Sequence, residues 1–352
     1  MTNGRLSKQD LGLEPRESLV LVTGAAGFVG QGIVRRLLAE GCRVRALVLA
    51  GDPAARELRR LEPRANLDLV EGDVTDAACV AAGCARVTHV FHTAALVHAW
   101  APWARFRAVN VWGTENVARA AHAVRVARMV HVSTSDVFGI PIDDAVLDES
   151  SPYRRWHEPY ADTKIEAERW LWEFQRASGL PLSVIYPGWV YGPGDKAFFP
   201  GLAEAIGNGP MLFWRRHVRL PWVYLENLVD ACLLAATHPQ AVGRGYLVHE
   251  GEEGPTLQDV CGRIADCIGA KQPTLHLPYP LVLATAWLLE RLWHLAGAQT
   301  PPPLRTVDVK AFGFQWHLST RRVRDELGWA PRVDVRAGMN AALDDLARSR
   351  GG

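Results

Sequence analysis

The stretch LVLVTGAAGFVGQGIVRRLL, residues 19–38, constrains this chain more than any other. A β-branched apolar run ends at Gly24, Gly27 and Gly30. A helical periodicity follows at once, with Val29, Ile33, Leu37 and Leu38 on one face and Gly41 as a C-terminal stop. A tight turn there aims a helix N-terminus at a bound anion, and the glycines let a diphosphate approach the backbone. The spacing is GxxGxxG, not the GxGxxG of the plain dinucleotide fingerprint. The bland alternative is a Gly-rich β–α turn that binds nothing.

The pattern then repeats. Further β-branched runs lie at 44–49, 67–73, 87–95, 128–135 and 180–188, with helical periodicity between them, as at 109–124. Strands that are apolar almost throughout, alternating with helices, imply a Rossmann-type α/β fold: a doubly wound parallel sheet covered on both faces. After Pro187 the chain becomes dense in Gly, Pro and Trp. Residues 222–250 return to the first lobe as a helix and one more strand, and 255–352 are mostly helical. The expected organisation is a loose leader at 1–17 and a dinucleotide-binding domain at 18–186 plus 222–250. A smaller, mostly helical substrate lobe takes 187–221 and 251–352.

Composition narrows the function. Of 352 residues, 48% are apolar and the net charge is +1, so neither a nucleic-acid surface nor a polybasic membrane patch is indicated. The six cysteines show no CxxC and no zinc spacing, which points to free thiols in a reducing, cytoplasmic setting. His89, His92, His98, His122 and His131 lack metal-ligand spacing, so no metal site is expected. Apolar segment 280–297 is interrupted by Glu290 and Arg291 and falls short of the ~20 residues a spanning helix needs.

TGAAGFVG resembles the signature of the extended short-chain dehydrogenases/reductases. So, in order, do GDVTD (72–76), HTAA (92–95), VNVWGTENV (109–117), VSTSDVFG (132–139), YADTK (160–164), PGWVYGPGD (187–195), VYLENLVDA (223–231) and LGWAP (327–331). The resemblance runs from about residue 18 to 345. It implies that Gly24, Ala26, Gly27, Phe28, Val29 and Gly30 cradle a diphosphate and that Asp73 and Val74 flank an adenine. Thr93, Ala94 and Ala95 would pass beneath the diphosphate and ribose, and Pro187, Gly188 and Val190 would meet the nicotinamide. Asn110 would support the active-site backbone, although a helix cap is the plainer reading. The ribose-reading positions hold Val48 and Leu49, neither the acid that favours NAD nor the arginine that favours NADP. Asp52 and Arg56 are substitutes for either role, or solvated loop charges. The missing phosphate-binding cation tips the expectation from NADP toward NAD.

Tyr160 and Lys164 lie one helical turn apart on one face. A free tyrosine has a pKa of about 10, and a cation within ~4–6 Å stabilises its phenolate, bringing it toward general acid/base use. Lys164 would also hold the ribose. By the resemblance, Thr134 holds the substrate oxygen, with Ser135 beside it. Together Thr134, Tyr160 and Lys164 imply hydride transfer between a secondary alcohol and a ketone. Dehydratases of this family carry an acid pair after the threonine; here Ser135 and Asp136 leave one acid missing.

Epimerases of the family carry an Arg-Asp pair where this chain has Leu220 and Pro221. The remaining likeness is to the branch with 3β-hydroxysteroid dehydrogenases and sterol-4-carboxylate 3-dehydrogenases. The implied substrate is bulky and lipophilic, sterol-like or a long-chain β-keto acid. Leu96, Trp100, Ser135, Asp136, Trp189, Phe198, Trp214 and Trp287 are the candidate pocket residues. Arg215, Arg216 and Arg219 either meet a carboxylate or phosphate or face solvent. Segment 281–296 lines the entrance, rests peripherally on a membrane or packs the small lobe. The family default is a homodimer through helices at 105–124 and 160–176. A sugar-nucleotide epimerase or dehydratase and a non-catalytic dinucleotide sensor are the rival readings.

Overall fold

The computed structural model describes residues 18–61, 66–97, 100–140, 145–209, 211–251, 254–298 and 300–351. The leader at 1–17 and His98 lie outside the described residues. Seven strands make the central sheet: Leu19–Thr23 (β1), Arg43–Val48 (β2), Leu67–Glu71 (β3), His89–His92 (β4), Arg128–Val132 (β5), Leu182–Pro187 (β6) and Arg244–Val248 (β7). Their order is β7-β6-β5-β4-β1-β2-β3, and each neighbouring pair is parallel. Each strand expected from the sequence occurs. The order reverses between β1 and β4, and in open α/β sheets ligands bind at that reversal, outside the carboxyl ends of the strands.

Every residue of β1, β5 and β6 is buried. Two apolar layers account for this. On one sheet face, Val117 and Ala118 of helix Gly113–Ala123 and Ile165 and Leu171 of helix Pro159–Ser178 join the core. On the other, Ile33 and Leu37 of helix Phe28–Ala39 pack with Leu228 and Cys232 of helix Leu225–Thr237. Each such aliphatic side chain contributes about 1.5–3 kcal/mol relative to exposure.

Apart from helix Leu225–Thr237, β7 and helix Arg321–Leu327, the chain after Pro187 builds beside the carboxyl edge of the sheet. Trp189–Tyr191 pairs in parallel with Trp222–Tyr224. Helices Phe198–Asn208, Leu257–Ile268, Tyr279–Leu295, Thr306–Ala311 and Val335–Gly351 supply most of the rest. This places a second wall opposite β1, β4, β5 and β6.

Candidate active site

A cleft of ≈ 2310 Å³ runs along the carboxyl edge of the sheet. One end is the glycine turn. Gly24 has φ +65°, and a Cβ there would lie 2.6 Å from the Ala94 backbone. A Cβ on Gly30 would lie 2.3 Å from the Gly24 carbonyl oxygen. Both positions therefore require glycine. Gly27 opens the helix without a side-chain cap, so the first N–H groups keep their capacity to bind an anion. A dinucleotide diphosphate fits this cradle.

Gly24, Ala26, Gly27, Phe28, Val29, Gly30, Thr93, Ala95, Pro187, Gly188 and Val190 all line the cleft. Ala94 lies behind Gly24 in backbone contact. Val48 is buried and Leu49 is 51% exposed. Together with Asp73 and Val74 they stand at the carboxyl ends of β2 and β3, outside the cleft wall. Asp73 Oδ1 accepts the Thr75 N–H at 2.9 Å, and Val74 packs on Gly113. Asp52 Oδ1 is spent on the Ala54 N–H at 2.8 Å.

Thr134, Tyr160 and Lys164 come together on the facing wall. Thr134 ends the loop after β5 and caps the turn Ser135–Phe138, its Oγ1 accepting the Asp136 N–H at 3.2 Å. Tyr160 sits in the first turn of helix Pro159–Ser178. Glu158 caps that helix through the N–H groups of Tyr160, at 3.0 Å, and Ala161. The tyrosine hydroxyl departs from the expected electrostatics. Burial and the Asp136 carboxylate hold it well above the ordinary tyrosine range, against a hydrogen bond with Thr134. The lysine is occupied elsewhere: Lys164 Nζ meets His131 Nε2 at 3.2 Å and donates to the Val132 carbonyl at 2.9 Å. Burial pulls its pKa down to about 8, with Glu168 opposing. Burial and Glu158 push the Asp136 carboxyl up to about 7, while Thr134 donates to it.

Asn110 does not line the cleft. It lies in a π-helical turn, Ala108–Trp112, a distortion common at functional sites. Its Oδ1 accepts the Leu96 N–H at 2.7 Å, and its Nδ2 donates to the Leu96 carbonyl and to Thr163 Oγ1 at 3.2 and 3.0 Å. It thus ties the loop after β4 to the Tyr160 helix. The Leu96 backbone is held by that staple, and Val97, not the expected Leu96, lines the cleft.

Trp100, Ser135, Asp136, Trp189 and Phe198 line the cleft. Trp100 stacks on His294 at 4.9 Å and donates to the Ala298 carbonyl at 3.0 Å. Trp189 meets Phe198 at 4.9 Å. Besides Leu96, two further expected pocket residues do not line the cleft. Trp214 packs with Val282 and Val309 and donates to the Val309 carbonyl at 2.8 Å, away from the cleft. Trp287 is 53% exposed on the outer face of helix Tyr279–Leu295, with Arg291 over its ring.

The sequence reading missed the polar shell behind Lys164. Glu168 is fully buried and accepts from Ser133 and from Tyr153 at 2.8 Å. The His131 ring packs tilted against His92, centroids 5.2 Å apart. His92 is linked to Thr23 at 2.7 Å and Thr114 at 2.9 Å. His131 Nδ1 and Ser135 Oγ are buried without a hydrogen-bond partner. Among the described residues, no cluster of three or more His, Cys, Asp or Glu is arranged to hold a metal.

A glycine cradle, a tyrosine–lysine helix and a threonine on one cleft define the dinucleotide-dependent class of α/β oxidoreductases. The family model described as the NAD dependent epimerase/dehydratase family matches residues 20–248, and the chain belongs to that family. It is 30% identical over 350 residues to a 3 beta-hydroxysteroid dehydrogenase/Delta 5-->4-isomerase of Mycobacterium tuberculosis, covering 95% of this chain and 92% of the relative. It is 28% identical over 328 residues to a 2-alkyl-3-oxoalkanoate reductase of Stenotrophomonas maltophilia, covering 91% and 97%. Among solved structures, gox2253 superposes with a TM-score of 0.76 at 26% identity, covering 96% of this chain and 99% of that one.

Proposed function

We propose that this protein is an NAD-dependent oxidoreductase that interconverts a secondary alcohol and a ketone on a bulky lipophilic substrate, sterol-like or a long-chain β-keto acid. The observation that carries the reading is the convergence of Thr134, Tyr160 and Lys164 on a cleft that begins at the glycine turn. The names of the two relatives support the substrate class.

Gly24, Ala26, Gly27, Phe28, Val29 and Gly30 would hold the diphosphate, and Thr93, Ala94 and Ala95 would lie beneath it. Val48, Leu49, Asp73 and Val74 would border the adenosine, Lys164 would hold the nicotinamide ribose, and Pro187, Gly188 and Val190 would meet the nicotinamide ring. When bound, the nicotinamide gives or takes the hydride at the substrate carbon. The chain's own residues handle the oxygen. Thr134 hydrogen-bonds it, donating to a carbonyl or accepting from an alcohol. In reduction, the Tyr160 hydroxyl gives its proton to that oxygen; in oxidation, its phenolate takes the proton back. A hydrogen bond with Thr134 favours the phenolate, while Lys164 stays directed to His131 and the Val132 carbonyl. Asn110 positions the loop and helix that carry these groups.

The two-lobe division read from the sequence accords with this placement. The exposed Leu281, Trp287, Leu288, Leu292 and Leu295 of helix Tyr279–Leu295 support peripheral membrane contact. No helix among the described residues is long and apolar enough to cross a membrane. The free cysteines accord with a cytoplasmic protein, and half-exposed Trp112 accords with a homodimer through helices at 105–124 and 160–176.

Nicotinamide absorbance tests the reading, with NAD and NADP each offered a 3β-hydroxysteroid, a long-chain 3-hydroxy acid and a nucleotide-sugar. Net NAD reduction by a lipophilic alcohol is expected. Conversion of the nucleotide-sugar without net reduction would instead establish an epimerase.

A further inference from the structure

The cleft wall around Tyr160 carries a charge pattern that separates substrate classes. Four carboxylate residues line it: Asp136, Glu158, Glu290 and Asp308. A single guanidinium, Arg305, stands among them. Its Nε and Nη2 already donate to Asp308 at 2.8 and 2.7 Å, and Glu158 and Glu290 act on it as well. The other nearby cation, Lys164, is held by His131 and the Val132 carbonyl. The arginines that the sequence offered to a carboxylate are elsewhere. Arg215 lies over the rings of Tyr279 and Phe314 at 5.7 and 5.8 Å, Arg219 donates to the Gly254 carbonyl, and neither they nor Arg216 lines the cleft. Val97, Trp100, Trp156, Trp189, Phe198 and Val307 supply apolar wall, interspersed with the polar side chains of Ser135, His157, His294 and Thr306.

We propose that the substrate is uncharged around its reacting carbon: a neutral secondary alcohol or ketone on an apolar skeleton, not a 3-hydroxy or 3-keto acid with a free carboxylate. This rests on the oxidoreductase reading above and narrows its substrate to the sterol-like alternative, against the β-keto acid. In a 3-hydroxy acid the carboxylate is only two carbons from the carbon that reacts. With that carbon beside Tyr160, the carboxylate must enter next to Asp136 and Glu158. Like charges beside a desolvated carboxyl such as Asp136 repel more than in water, and such juxtaposition works as a filter against the wrong ligand. Arg305 offers little relief, because Asp308 already neutralises it. Glu158 is committed to the helix N-terminus and Glu290 to the Thr306 N–H at 2.7 Å. An alcohol or ketone needs only the hydroxyls of Thr134 and Tyr160.

The test uses one carbon skeleton in two charge states: a 2-alkyl-3-hydroxy acid and its methyl ester. Each is titrated into the NAD-loaded protein at pH 8, read by the fluorescence of the cleft tryptophans. The ester is expected to bind about ten-fold or more tightly than the acid. Equal or tighter binding of the acid overturns the proposal, as does an ester that does not bind. The gap should shrink on going from pH 8 to pH 6, as Asp136 takes up its proton beside Glu158, Thr134 and Tyr160. Asp308→Asn, which releases the Arg305 guanidinium, should narrow it too; a gap that this variant leaves unchanged overturns the role given to the Arg305–Asp308 pair. Because the readout is binding, ester preference without oxidation would remove the oxidoreductase reading and leave the charge preference standing.

Discussion

At the scale of single residues, the tyrosine and lysine were legible because their spacing is local, and Thr134 because a motif frames it. What surrounds them was not. Glu168 reads as a solvent-facing helix acid in sequence, yet Ser133, Tyr153 and Lys164 enclose it from two other elements and its own. His131 reads as a strand residue, yet its Nε2 receives the catalytic lysine. These partners meet only through sheet order, which local pattern does not encode. The same geometry explains why the simple expectation of a lysine-lowered tyrosine does not describe this structure: Asp136 and burial act on Tyr160, while Lys164 is directed to the strand end. His131 thus supports the charged form of Lys164. His131→Phe removes that acceptor and should lower the Lys164 pKa further, moving the alkaline limb of the kcat/KM profile down by about one pH unit. His131→Gln keeps an acceptor and should restore the limb. A purely structural role would change stability and leave the limb in place.

At the scale of elements, the helices were read well where periodicity and end signals agree. Helix Phe28–Ala39 stops as expected, with Gly41 at φ +83°. Segment 109–124 was read as one helix, and it is a π-helical turn followed by helix Gly113–Ala123. The inserted residue turns Asn110 toward Leu96 and Thr163, a tertiary demand with no sequence signature of its own. The start of the Tyr160 helix depends on Glu158, whose carboxylate accepts the Tyr160 and Ala161 N–H groups, while Pro159 at the first position has no N–H to satisfy. Glu158→Ala should therefore destabilise the protein by about 0.5–2 kcal/mol, measured by denaturant unfolding at pH 7. An unchanged midpoint would show that the cap is idle.

At the scale of the whole molecule, the parallel sheet was legible from strand–helix alternation with largely apolar strands, whereas its strand order and reversal are set by tertiary pairing. The second half was less so. Tryptophan density marked a lipophilic wall, but only burial separates Trp189 on the cleft from Trp214 in a satellite core and Trp287 at the surface. Histidines on β4 and β5 also tie stability to pH. Burial and Lys164 pull His92 down to about 3, burial with Arg128 takes His89 to about 4, and His131 lies well below its ordinary value. Unfolded histidine titrates near 6.5. Their contribution is complete above that pH and is lost as pH falls toward the folded values. Asp136, pushed up to about 7, acts oppositely: its contribution is present below the usual carboxylate range and lost as pH rises through 7. His92→Gln should accordingly flatten the dependence of unfolding free energy on pH between 4 and 6 by about one proton, roughly 1.4 kcal/mol per pH unit. An unaltered slope would mean that His92 charges in the folded protein.

The central claim is that Tyr160 carries the proton in a cleft whose cofactor end is built independently of it. Tyr160→Phe isolates that claim, since it removes one hydroxyl and leaves the glycine cradle untouched. The measurement is the dissociation constant for NAD beside the single-turnover rate with an oxidisable lipophilic alcohol. The expected result is NAD binding within about two-fold of the parent and a rate lower by about 10²–10⁴-fold. A Tyr160→Phe variant that turns over at the parent rate would contradict the account.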